Sequence, residues 1–269
     1  MAGLDHHRSE VRGSHRLRIV AAYAIYRSMR RIIKISRSET VPSQTDTFLL
    51  QGIPRRIRPP QKIVSLFGEA ERIFREYAEP GGIVTDISKS EFTKVYKGES
   101  KNEKRTPVAE IAERADYLAL FAVTIGQAIN DKINELFKHE ELTLGIMLDA
   151  VASAAAEMAA DAVERNHLER LREENRVANS AAVLRYGPGY CGWHISGQKK
   201  LLEFLRPAEI GITLLDSFLM IPLKSISGVL LTGKKEIHII EDDYPFCSQC
   251  KTHFCQQRIR ASFPDSGLR

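Results

Sequence analysis

The chain reads as an α+β protein in which long helices pack on a small antiparallel sheet or meander. Three observations predict this class. Helical periodicity dominates the first two thirds of the chain, and three short apolar runs follow one another after residue 217. Nowhere do strands and helices alternate in βαβ units. Neither the dinucleotide nor the P-loop glycine signature occurs.

Composition sets the outer bounds. With 269 residues, 43% hydrophobic and 27% charged, the chain has enough apolar material for a sizeable core and is not of disordered composition. The net charge of +5 comes largely from the first forty residues, where nine Lys and Arg face only Asp5, Glu10 and Glu39. The remainder is close to balanced, which argues against nucleic acid as a partner of the folded body. No run of about eighteen uninterrupted apolar residues occurs, so no transmembrane segment is expected, and with no evident secretory signal the expected location is cytoplasmic.

Residues 1–47 read as a basic extension outside the fold. Its stretch from Leu17 to Lys34 mixes apolar and basic residues as an interfacial helix or a targeting peptide does, and a non-native start is an alternative. The body, 48–244, opens near Leu49-Leu-Gln-Gly-Ile-Pro54. Ile63, Leu66, Phe67, Ala70, Ile73, Phe74 and Tyr77 recur at three- and four-residue spacing, predicting an amphipathic helix that ends at Pro80-Gly-Gly. From Glu91 to Lys104 the chain is polar and turn-rich, and reads as a strand remnant followed by a loop.

Pro107 opens a short helix as its first residue. The continuous apolar run from Tyr117 to Thr124 fits a buried strand, and Gly126 marks the switch into a helix through Phe137. The longest helical pattern, alanine-rich, runs from about Leu142 to Arg176. Asp149, Ser153, Glu157 and Asp161 fall four apart on it and share one face, either as a solvated polar stripe or as a carboxylate seat for a cationic or polyhydroxylated partner. A short helix from Lys199 to Leu205 stops at Pro207. Ser217–Pro222, Ile226–Leu231 and Ile237–Ile240 then read as the strands of the meander.

Between the long helix and these strands stands Arg185-Tyr-Gly-Pro-Gly-Tyr190-Cys-Gly-Trp-His194. It combines an always-charged guanidinium, two glycines that let a backbone approach closely, a stiffening proline and two tyrosines. That is a small-molecule seat or a tight corner between elements. His194 reads as structural, and His167 and His238 as surface residues.

Five colinear segments resemble the activation domain of cobalamin-dependent methionine synthase, in its stand-alone form. They are Phe121-Ala-Val-Thr-Ile-Gly126, Met147-Leu-Asp-Ala-Val-Ala152 leading to Glu157, Arg185 to Tyr190, Gly211-Ile-Thr-Leu with Ser217-Phe, and Pro222-Leu-Lys-Ser-Ile-Ser-Gly228. The resemblance implies a domain that binds S-adenosylmethionine and remethylates an oxidised cobalamin held by a partner. That partner would be a cobalamin-binding methionine synthase subunit or a corrinoid protein, with electrons from a donor such as flavodoxin or ferredoxin. It assigns Arg185, Gly187, Gly189, Tyr190 and Glu157 to S-adenosylmethionine, with Tyr190 and Glu157 nearest the reacting methyl group. Arg185 would grip the methionyl carboxylate, Tyr190 would face the sulfonium, and Glu157 would offer charge to the amino group, ribose or sulfonium.

The chain departs from the family pattern in two places. No counterpart is evident for an acidic group early in the domain, and Lys234-Lys-Glu-Ile-His238 stands where a tyrosine is expected. It is also too short for homocysteine, folate and cobalamin domains, so methionine synthesis would need separate subunits. A non-catalytic docking subunit for a corrinoid protein is the alternative.

The tail, 245–269, carries Cys247-Ser-Gln-Cys250 and Cys255, with His253 between them. Three thiols in nine residues suit zinc or an iron–sulfur cluster, with Cys191 or His253 as fourth ligand, or a redox pair at Cys247 and Cys250. On the metal reading the chain could instead be an electron-transfer module.

Overall fold

The computed structural model describes residues 30–239. Among these, seven α-helices and seven strands follow in order: β1 (Arg30–Lys34), α1 (Gln44–Leu50), α2 (Gln61–Tyr77), β2 (Gly81–Ile87), α3 (Lys89–Lys97), α4 (Pro107–Arg114), β3 (Tyr117–Thr124), α5 (Gln127–Lys138), α6 (Leu142–Glu173), β4 (Ala182–Tyr186), α7 (Gly197–Leu205), β5 (Thr213–Leu214), β6 (Met220–Ile221) and β7 (Ser225–Gly233). The main sheet has the order β1-β2-β3-β7-β4, and β2–β3, β3–β7 and β7–β4 pair antiparallel. The fold is therefore α+β, as expected.

Helices cover both faces of the sheet. One face buries Ala119, Phe121 and Val123 of β3 against α2, α5 and α6. The other buries Leu118, Leu120 and Ala122 against α3, α4 and α7. Two covered faces explain why β3 is apolar at nearly every position rather than at alternate ones.

Helix α6 is the spine. Its alanines at 152, 155, 156, 159 and 160 are all buried, and without bulky side chains the helix lies close to the sheet. At Gly82 on β2, a Cβ would stand 2.8 Å from a methyl of Val163. By length and composition α6 is apolar enough to cross a bilayer, but its apolar residues form the core beneath the sheet. Arg170 and Arg172 in its last turn suit the negative end of the helix dipole. Arg170 also donates to both oxygens of Asp86 on β2, at 2.8 and 3.0 Å.

Several expectations need correction. Residues 32–47, read as extension, are packed into the body: Ile35, Thr40 and Thr47 are buried, and the Arg37 guanidinium donates to the Ala78 and Arg75 carbonyls. The stretch after Pro80-Gly-Gly is strand β2, and the supposed strand remnant near Glu91 is helix α3. The start of α3 is fixed by a capping box, in which the Ser88 hydroxyl accepts from the Glu91 N–H while the Glu91 carboxylate accepts from the Ser88 N–H.

The meander is also different. Only β7 is a full strand of the main sheet, and it sits between β3 and β4. Residues 217–222 form a loop with a two-residue pairing to β5, because Phe218 turns into the left-handed region at φ 64°. Residues 235–238 make a single tight turn that carries His238 inward. His238 and His167 are both fully buried rather than at the surface. The extension up to residue 29 and the cysteine tail lie outside the described residues.

Candidate functional site

Where β4 ends, the chain runs into the glycine-rich turn and bends over the start of β7. Two glycines permit this close approach. A Cβ at Gly187 would stand 2.8 Å from the Ser227 carbonyl oxygen, and one at Gly228 would stand 2.2 Å from that of Tyr186. The turn then closes on itself, with Gly189 donating to the Trp193 carbonyl at 2.7 Å and Trp193 donating back to Tyr190 at 2.9 Å. Gly189 (φ 90°), Cys191 (φ 51°) and Gly192 (φ 74°) take up the left-handed conformations that the tight loop requires.

The turn is anchored by Trp193, which is buried edge-on against Phe92 with ring centroids 5.8 Å apart. Ser196 donates its N–H to His194 Nδ1 at 3.1 Å, and the His194 N–H donates to Asn102 at 2.9 Å. His194 thus braces the loop through these two hydrogen bonds. Cys191 is half-buried, and Tyr190 is half-exposed.

Between this turn, α6 and the 218–227 segment lies an open cavity of about 270 Å³. That is near the lower end of small-molecule sites, which run from about 300 to 1,000 Å³. Its walls are mainly apolar and aromatic, including Phe121, Tyr186, Tyr190, Phe218 and Met220. Gly187, Cys191, Glu157 and Arg185 line it as well.

The sequence-derived residues Arg185, Gly187, Tyr190 and Glu157 therefore meet at one cavity. Gly189 supplies the turn's backbone shape nearby.

The electrostatics centre on Arg185. The side chain is 5% exposed and reaches from β4 to the polar face of α6. One terminal nitrogen donates to Glu157 at 2.8 Å, and the other donates to Asp161 and to Glu164, the latter at 2.7 Å. Burial works against the charge, but Glu164, Asp161 and Glu157 outweigh it and hold the guanidinium pKa above its ordinary value. Both prongs of the fork are thus already engaged. A ligand carboxylate must exchange with one of these partners rather than find an empty fork.

The four-residue stripe on α6 is a docking ladder for two cations of the sheet side. Arg185 takes its far end, and Lys224, just before β7, takes its near end, donating to Asp149 at 2.7 Å and to Ser153 at 2.8 Å. The sequence reading missed Glu164 as a partner, although a position seven residues after Glu157 lies on the same helical face. It also missed the 218–223 loop as a cavity wall, for which no periodic signal exists.

Among the described residues, no cluster of His, Cys, Asp and Glu is arranged to hold a metal ion. Cys247, Cys250 and Cys255 lie outside them.

No curated protein matches the sequence. A crystal structure of the MetH reactivation domain bound to AdoHcy is similar in fold, with a TM-score of 0.55 over 89% of this chain and 91% of that one, at 17% identity. The family model described as "Vitamin B12 dependent methionine synthase, activation domain" matches residues 99–238, a span that includes β3, α6, the Arg185 turn and β7. The chain belongs to the vitamin B12 dependent methionine synthase activation domain family.

Proposed function

We propose that this chain is an S-adenosylmethionine-binding activation subunit that supports reductive remethylation of cobalamin on a partner methionine synthase or corrinoid protein. The observation that carries this reading is the Arg185–Glu157 ion pair on the wall of an aromatic cavity. An α-amino acid is a zwitterion, so it can insert into such a pair. Its carboxylate takes the Nη2 prong of Arg185, and its ammonium takes the Glu157 carboxylate thereby released. Asp161 and Glu164 keep the guanidinium in place during the exchange.

The ligand supplies an activated methyl group on a sulfonium. The protein supplies position and electrostatics. Tyr190, half-exposed at the cavity, offers a ring face to the sulfonium, a contact of about 0.5–2 kcal/mol. Gly187 and Gly189 shape the main chain of the turn beside which adenine would lie, their missing Cβ positions facing Ser227 and Ile195. The exposed rim of Ile195, Leu219 and Leu223 beside Tyr190 is the surface to which the cobalamin-bearing partner would dock, with an electron donor such as flavodoxin or ferredoxin completing the cycle in the cytoplasm.

The reading is tested by mixing the full chain with a cob(II)alamin-loaded partner, reductant and methyl-labelled S-adenosylmethionine. Label on the cobalamin is the expected result. Its absence, under conditions where a full-length methionine synthase is activated, overturns the proposal.

The tail thiolates Cys247, Cys250 and Cys255, with Cys191 or His253 as fourth ligand, are assigned on spacing to zinc or an iron–sulfur cluster. Anaerobically purified protein lacking iron, acid-labile sulfide and zinc would remove that assignment.

A further inference from the structure

The Arg185 cluster carries more negative than positive charge. Glu157 and Asp161 share the one guanidinium, and their side chains are 51% and 47% exposed. One positive charge against two negative leaves a surplus of one negative charge, and Glu164 has the same sign. Among the described residues, no charged side chain other than Glu157 and Arg185 lines the cavity. Lys224, just before β7, is matched by Asp149. The rest of the wall includes the rings of Phe121, Tyr186, Tyr190 and Phe218, whose faces attract cations.

We infer that this surplus makes the cavity charge-selective, with Asp161 as a specificity-determining residue that favours a sulfonium ligand over its neutral thioether. The inference rests on the ligand proposed above. S-Adenosylmethionine and S-adenosylhomocysteine share adenine, ribose, carboxylate and ammonium, and differ by one methyl group and one positive charge. Contacts to the shared groups bind both alike, so only the sulfur end separates them. Asp161 does not line the cavity and acts through space from a half-exposed position, so its field at the sulfur is one that salt can screen. Such selectivity would eject the product once the methyl group has left.

The test is calorimetric titration of the full chain with each ligand, at low salt and at 0.5 M salt, for wild type and Asp161→Asn. Wild type is expected to prefer the sulfonium by about tenfold or more at low salt, a preference that salt reduces by screening. Asp161→Asn is expected to cut the ratio by about threefold or more, since its effect on the shared ammonium and carboxylate is common to both ligands and only its effect on the sulfonium is not. A general loosening of the Arg185 cluster would weaken both ligands together and leave the ratio unchanged.

Equal affinities in wild type at low salt, or a ratio that the substitution leaves unchanged, overturns the inference while leaving the ligand proposal intact. If Asp161→Asn does not fold, Asp161→Ser read in the same two titrations decides. If neither ligand binds, the ligand proposal itself fails and this inference falls with it.

Discussion

Replacing Gly228 by alanine tests whether the glycine-rich turn is seated on β7 as described. The new Cβ would stand 2.2 Å from the Tyr186 carbonyl oxygen, where ordinary contact begins at 3.4 Å, a shortfall of 1.2 Å. The opposing atom is backbone in the β4–β7 ladder, so no flexible side chain can give way, and the Phe121 ring at 3.1 Å blocks the other side. Overpacking of this kind costs about 1–3 kcal/mol, against which the entropic gain of Gly→Ala recovers at most about 1. Relief requires the end of β4 to lift by about 1 Å, and a misplacement of that size can cost up to about 100-fold in positioning. Urea unfolding and titration with S-adenosylmethionine measure both effects. A variant within about 0.5 kcal/mol of wild type, with unchanged affinity, would refute the close approach.

Other substitutions probe the remaining elements. Gly68 sits inside α2 with nothing within 4 Å of where a Cβ would stand, so Gly68→Ala should stabilise by about 0.5–1 kcal/mol through helix propensity, a sign opposite to Gly228→Ala in the same unfolding assay. Ser88→Ala removes the N-cap of α3 and should cost about 1 kcal/mol, with a loss under about 0.3 arguing against the capping box. His238 is held neutral because burial pushes its pKa down to about 4, the Ala182 carbonyl working the other way. The unfolded chain takes up that proton near pH 6.5, so stability is complete above this value and falls by on the order of 3 kcal/mol as the pH drops toward 4. His238→Leu should flatten that decline in urea midpoints measured from pH 7.5 to 4.5, and parallel curves for the two proteins would contradict it.

The elements legible in the sequence were those whose signals are local. Pro107 as a first helical residue, Gly126 at a strand-to-helix switch and the unbroken apolar run of β3 each carry their own explanation. β2 was not legible because Pro80-Gly-Gly reads as a stop and Asp86 reads as surface, whereas Asp86 is partnered by Arg170, 84 residues later. Helix α3 has few apolar residues, and its one firm marker, Ser88 with Glu91, is a three-residue signal easily passed over. The burial of His167 and His238 depends on tertiary packing that no local pattern encodes.

At the site, Arg185, the glycines and Tyr190 were found because they cluster in one turn, and Glu157 because it lies on the long helix. What the sequence could not show was that Arg185 and the α6 carboxylates answer each other. That pairing joins residues 21 to 28 positions apart, across two elements. It turns a presumed open guanidinium into a preformed ion cluster, and it makes partner exchange part of any ligand's binding.

The proposed function stands on S-adenosylmethionine binding at the Arg185–Glu157 wall of the cavity. Calorimetric titration of the full chain with this ligand, for wild type and Arg185→Met, tests it most directly, with circular dichroism to show that both proteins are folded. Saturable one-to-one binding by wild type and a loss of at least about tenfold in the variant are expected, the scale of a charge-assisted hydrogen bond. Folded wild-type protein that gives no binding heat, or a folded variant that binds equally well, would contradict it.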